Sequence, residues 1–74
     1  MAREQVTVPM VGKILSVDVK VGDGVSADQQ LGTFESMKME MPVFAPLAGT
    51  VASVGVSVGD AVEAEHVFCE IDAN

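Results

Sequence analysis

Val17-Asp18-Val19-Lys20-Val21-Gly22-Asp23 recurs as Val54-Gly55-Val56-Ser57-Val58-Gly59-Asp60, displaced by 37 positions. The recurrence extends outward on both sides. Pro9, Gly12 and Ser16 fall on Pro46, Gly49 and Ser53, and Val25 and Ala27 fall on Val62 and Ala64. Met10/Leu47, Ile14/Val51, Leu31/Phe68 and Phe34/Ile71 are conservative pairs. Of the 26 positions in 9–34, ten are identical to their counterparts in 46–71, too many for shared composition alone. Two units this short cannot each bury a core. They are expected to pack together as one domain, 1–74, with pseudo-twofold symmetry between halves at about 6–36 and 43–73.

Each half follows one plan. A Pro and a Gly open it, at Pro9/Gly12 and Pro46/Gly49. A period-two strand is expected next, with Ile14, Ser16, Asp18 and Lys20 on one face and Leu15, Val17, Val19 and Val21 on the other. Val54, Val56 and Val58 keep the corresponding phase in the second half. Then comes a Gly-Asp turn, Gly22-Asp23-Gly24 or Gly59-Asp60, where glycine reaches positive φ at little steric cost. A polar loop follows, Ser26–Gln30 or Glu63–His66, and a second strand closes the unit, Leu31–Glu35 or Val67–Asp72. Nothing runs at helical spacing with caps. The expected fold is all-β, two small antiparallel sheets packed face to face as a flattened barrel.

Bulk properties narrow the function. The apolar share is 49%, with valine the commonest residue and few aromatics, which suits a core of half-buried pleated strands in a folded chain. The net charge of −7, without a basic stripe or an aromatic platform, argues against nucleic-acid binding. No apolar run approaches a membrane span, and no signal-peptide core is visible at the N-terminus. The single cysteine, Cys69, has no partner for an internal disulfide and fits a reducing, cytoplasmic setting. His66 and Cys69 have no matching cluster for a metal. Both read as ordinary residues of a polar loop and of the last strand.

The chemistry points to Glu35-Ser36-Met37-Lys38-Met39-Glu40. Leu31–Ser36 and Met39–Phe44 read as two strands joined by Met37-Lys38. Two-residue hairpin loops favour Asn-Gly, Asp-Gly or Gly at their positive-φ positions, so Met-Lys is a poor local choice. Glu35 and Glu40 are expected to face each other across the pair, an unfavourable like-charge match. Such breaches of local rules concentrate at functional sites. Met39, Met41 and Val43 should share one face, Glu40 and Pro42 the other, with Lys38 projecting into water. Under the repeat, Lys38 is the counterpart of Met1 and of a position just past Asn74, which sets the hairpin and the chain ends at opposite ends of the domain. A presented amine of this kind is a handle for an activated electrophile such as an acyl-adenylate. For an arbitrary Met-Lys-Met, a solvated turn lysine beside adaptable core methionines is the simpler reading. The repeat and the central hairpin position favour the handle. Lys13 and Lys20, aligned with Thr50 and Ser57, read as solvent-facing strand residues.

The chain resembles the biotinyl domains of biotin-dependent carboxylases, the biotin carboxyl carrier proteins, and in size the stand-alone biotin/lipoyl attachment proteins. The resemblance runs from about Val6 to Ile71 and rests on five stretches: Val8–Gly12, Val19–Asp23, Glu35–Glu40, Ala45–Val51 and Val58–Asp60. It implies a barrel-sandwich hybrid of two four-stranded antiparallel sheets. It implies covalent biotin on Lys38, attached by a biotin protein ligase, with Met37 and Met39 as flanking recognition residues. It further implies a non-catalytic carrier working between biotin carboxylase and carboxyltransferase, with no metal, no nucleic acid and no membrane, and monomeric as an isolated domain. Lipoyl domains usually carry Asp-Lys-Ala at the hairpin, which this chain lacks. Ser36 stands where the family most often has Ala, and Gly24–Leu31 holds no inserted thumb. Three readings remain open: a biotin carrier, for instance of an acetyl-CoA or other acyl-CoA carboxylase in fatty acid biosynthesis; a lipoyl or dual carrier of a dehydrogenase-type complex; and an unmodified hairpin module like those of membrane-fusion adaptors. Met1 is compatible with a stand-alone carrier or with a domain of a longer enzyme.

Overall fold

The computed structural model describes residues 3–73. Eight strands follow in chain order: β1 Arg3–Thr7, β2 Gly12–Val17, β3 Gly24–Val25, β4 Gln30–Ser36, β5 Met39–Phe44, β6 Gly49–Val54, β7 Ala61–Val62 and β8 Val67–Ala73. Among the described residues there is no helix. The strands form two four-stranded antiparallel sheets, ordered β1-β8-β6-β3 and β5-β4-β2-β7. The all-β, two-sheet expectation holds.

The repeat is literal in the structure. β2, β3 and β4 lie 37 positions before β6, β7 and β8, and each sheet draws strands from both halves. The Gly-Asp turns interlock the halves. In the first, the Asp23 carboxylate accepts from the Lys20 amide at 2.9 Å. The turn then docks on the other half: Gly22 N–H donates to the Val51 carbonyl at 2.9 Å, and Val51 N–H donates to the Asp23 carbonyl at 2.8 Å. In the second, the Asp60 carboxylate accepts from the Ser57 amide at 2.8 Å. Gly59 N–H donates to Ile14, and Ile14 N–H to Asp60, both at 2.8 Å. Gly22 and Gly59, at φ of 97° and 93°, supply the left-handed corner that these turns require. Both Gly-Asp pairs thus act as turn chemistry, as expected.

The strand phase differs from expectation. β2 ends at Val17, with a register shift between Ile14 and Ser16 against β4, and β6 repeats it between Val51 and Ser53. A bulge sets two residues against one partner and reverses which face follows. Ile14 and Val19, assigned to opposite faces by simple alternation, are therefore both buried, while Val21 and Val58 are exposed. The turn that docks on the opposite half carries these two valines away from the core.

Phe34, Phe68, Ile14, Leu31 and Ile71 are the largest fully buried side chains, flanked by Val8, Val51 and Cys69. Each fully buried large side chain contributes roughly 1.5–3 kcal/mol of transfer free energy. The core fills the space between the sheets and supports both ends of an elongated body of 36 × 17 × 16 Å. Burial pushes the Cys69 thiol up to about 11, and Glu70 beside it adds to the shift. A thiol held protonated and covered is a core residue, as its place in the last strand suggested.

Candidate functional site

β4 and β5 form a hairpin whose register runs Phe34↔Met41, Glu35↔Glu40 and Ser36↔Met39, leaving Met37-Lys38 as the two-residue turn. Inward and outward positions alternate along it. Phe34, Ser36 and Val43 are buried, Met41 is half-buried, and Glu35, Glu40 and Pro42 are exposed. β5 lies at the edge of its sheet. Pro42, which lacks an N–H, and the charged Glu40 suit an edge strand and discourage further pairing.

Met37 has φ of 52° and Lys38 of 64°. Positive φ at both central residues is the type I′ signature, the turn whose twist matches paired strands. Neither residue is Asn, Asp or Gly. Left-handed backbone costs an ordinary residue about 1–2 kcal/mol, so the tip is strained at both positions. Lys38 is exposed, and among the described residues it enters no ion pair within 4.0 Å. Met37 is 85% and Met39 64% exposed. The three residues singled out in the sequence thus stand together at the tip, and the two methionines are not core filler.

The segment between β1 and β2 braces the hairpin. The Ser36 hydroxyl, buried at the end of β4, donates to the Val11 carbonyl at 2.7 Å. A Cβ on Gly12 would overlap the Glu35 carbonyl oxygen, so the chain passes against β4 where only glycine fits. In the sequence Ser36 stands out only as a replacement for the family's usual Ala, and Val11 only as part of Val8–Gly12. The signal was present: Ser36 occupies an inward phase of its strand, where a hydroxyl needs a partner.

β1 runs from Arg3 towards Val8, and the chain then reaches Val11 beside the hairpin. Arg3 and its register partner Asp72 therefore lie on the side away from Lys38. At that end the Arg3 guanidinium donates to the Asp72 carboxylate at 2.8 Å and holds it below its ordinary value. Glu70 is lowered by hydrogen bonds from Gln5 and Ser53. His66 sits in its polar loop, with Nε2 3.3 Å from the Gly55 carbonyl oxygen. Lys13, in register with Glu35 on the strand beside the hairpin, and Lys20 are both exposed, and among the described residues no group of three acidic, His or Cys side chains is placed to hold a metal.

A surface lysine on a strained two-residue turn between exposed methionines is built to be reached; the chain ends themselves, expected at the opposite end, lie outside the described residues. Residues 4–71 match the family described as "Biotin-requiring enzyme", which covers biotin and lipoyl attachment. The chain belongs to the biotin/lipoyl attachment family. It is similar to a biotin/lipoyl attachment protein of Bacillus subtilis (strain 168), with 42% identity over 40 residues, 54% of this chain and 55% of that protein. Among solved structures it is similar to the urea carboxylase of Kluyveromyces lactis, at TM-score 0.89 and 30% identity over 97% of this chain and 6% of the carboxylase. It shares the fold of part of a single-chain, multi-domain long-chain acyl-CoA carboxylase, at TM-score 0.91 and 24% identity over 97% of this chain and 7% of that one. The match thus spans about half of the attachment protein and a small fraction of each carboxylase.

Proposed function

We propose that this domain is a biotin carrier of a biotin-dependent carboxylase, with the cofactor in amide linkage to Lys38. The observation that carries the reading is Met37-Lys38-Met39 on an exposed type I′ turn. Family membership and the likeness to a urea carboxylase support it.

The residues at the tip fit the group. The Lys38 amine has open solvent around it and can enter the active site of a biotin protein ligase. There, after losing a proton, it attacks the acyl carbon of biotinyl-AMP. The N–C amide bond forms and the C–O bond to AMP breaks, releasing AMP. Met37 and Met39 give the ligase two adaptable apolar contacts on either side of the nucleophile. When bound, biotin accepts a carboxyl group at a biotin carboxylase and gives it up at a carboxyltransferase. The domain's own part is to hold the tether rigidly and raise its effective concentration at both sites, without catalysing either step.

Intact mass after incubation with a biotin ligase, biotin and ATP tests the reading. One biotinyl adduct is expected on the wild type and none on Lys38→Ala, with unchanged circular dichroism. A parallel reaction with a lipoate ligase separates the lipoyl reading. An adduct that survives Lys38→Ala, or a wild type that takes only lipoate or nothing, overturns biotin attachment at Lys38.

A further inference from the structure

Six large apolar side chains stand exposed among the described residues, and three of them belong to the lysine end: Val11 at 64%, Met37 at 85% and Met39 at 64%. Val21 and Val58 are counterparts in the two Gly-Asp turns, so the fold itself accounts for them. Phe44 lies at the far end of β5. The first three share one anchor. Ser36 precedes Met37, pairs in register with Met39, and donates its hydroxyl to the Val11 carbonyl. It is the only buried polar side chain among the described residues.

The repeat acts as an internal control. Ala73 takes the place of Ser36, and Ala48 that of Val11. Close packing of strand start on partner strand occurs in both halves, since a Cβ on Gly12 would overlap the Glu35 carbonyl oxygen and one on Gly49 that of Asp72. The glycine is therefore a requirement of the fold. The hydroxyl and the exposed valine are not, because the second half forms the same junction with two alanines.

We infer that Val11 is a specificity-determining residue for acylation of Lys38, and that Ser36 is its positioning residue. Val11 adds a third apolar contact for the biotin ligase, on the neighbouring segment rather than on the hairpin. Residues 8–11 lie outside any strand. The Ser36 hydroxyl ties this segment down, so less ordering remains to be done when the ligase docks. The inference rests on the biotin reading above. It predicts a defect in acceptor recognition rather than in chemistry, because neither residue touches the amine.

The test is steady-state biotinylation with the apo domain as varied substrate. Val11→Asp is expected to raise KM about tenfold with kcat unchanged, the scale of losing one packed contact at an interface. Val58→Asp, an equal charge change at an exposed valine outside the site, should match the wild type. Ser36→Ala should raise KM about threefold and speed amide exchange at Val11 and Gly12 but not at Phe34, as expected for a released constraint. Circular dichroism and a thermal midpoint confirm folding of each variant. Wild-type KM in Val11→Asp, or equal losses in Val11→Asp and Val58→Asp, overturns the role of Val11. Wild-type kinetics in Ser36→Ala overturns the role of Ser36. A wild type that takes no biotin is a different result: it removes the attachment reading and this inference with it.

Discussion

Replacing Met37 by glycine and by alanine should invert the usual order of those two residues in a β hairpin. At an ordinary strand position glycine is the worse choice by roughly 0.5–1 kcal/mol, because its unfolded backbone has more freedom to lose. Met37 has φ of 52°, where any side chain with a Cβ carries about 1–2 kcal/mol of strain. Met37→Gly removes that strain, and Met37→Ala keeps it. Little else changes, since 85% of the side chain is already in water. The remaining contact is worth a few tenths of a kcal/mol if complete burial of a methionine is worth about 1.5–3. Glycine should therefore exceed alanine by about 1 kcal/mol after its own entropic cost is set against the relief. With a urea m-value of about 1 kcal/mol/M for so small a domain, that is a midpoint gap of about 1 M. The chain has no Trp or Tyr, so unfolding is followed by far-UV circular dichroism or NMR rather than intrinsic fluorescence. Equal midpoints, or alanine above glycine, would refute the claim that the tip stores backbone strain. The glycine variant should also be a poorer ligase substrate despite its greater stability, because it loses an apolar contact beside Lys38.

Glu65 has φ of 68°, so Glu65→Gly should raise the denaturation midpoint while Glu65→Ala does not; its counterpart Asp28, at φ of 68°, belongs to a residue type that tolerates this backbone and should respond less. Gly49→Ala should lower the thermal midpoint severely, since its Cβ would overlap the Asp72 carbonyl oxygen and the Ile71 side chain, whereas Gly24→Ala, with open space at that position, should change it little. Asp72 is held below its ordinary pKa chiefly by the hydrogen bond from Arg3, so its folded value lies under its unfolded one. The pair's stabilisation is then complete above the unfolded value and is lost as pH falls through the folded one. A pH series should show wild type and Asp72→Asn differing at neutral pH and converging in acid; a gap that persists below the folded pKa would mean the pair does not carry the difference.

The repeat and the hairpin were legible because each rests on local chemistry. Gly22-Asp23 and Gly59-Asp60 announce turns, and Met37-Lys38 is exposed by its unsuitability for the turn that the flanking strands demand. The faces of β2 and β6 were not legible. A bulge at Ile14/Ser16 leaves no mark in a run of alternating valines, since it is imposed by the partner strand and by the turn that docks on the other half. The place of Val11 was hidden for a related reason. It depends on a hydrogen bond across 25 positions to Ser36, and only the packed sheet brings the two together. What propensity and punctuation determine could be read, and what long-range pairing determines could not.

Why a lysine with the proposed carrier role should sit on a strained two-residue turn follows from the order in which costs fall. A long flexible loop would present Lys38 without strain, but its freedom would be lost again at every docking, at about 0.5–1.5 kcal/mol for each side chain immobilised. A type I′ turn has almost no freedom left to lose. Its strain of about 1–2 kcal/mol per residue is met once, at folding, by the packing beneath it. That packing is continuous with the core: Phe34 is fully buried, Ser36 is bonded to Val11, and the turns of each half are docked on the strands of the other. Rigidity is thus concentrated in the platform, and mobility is left to whatever the Lys38 amine carries. A domain with the proposed function, visiting several partners in turn, gains more from repeated docking at low entropic cost than it loses in a few kcal/mol of stability.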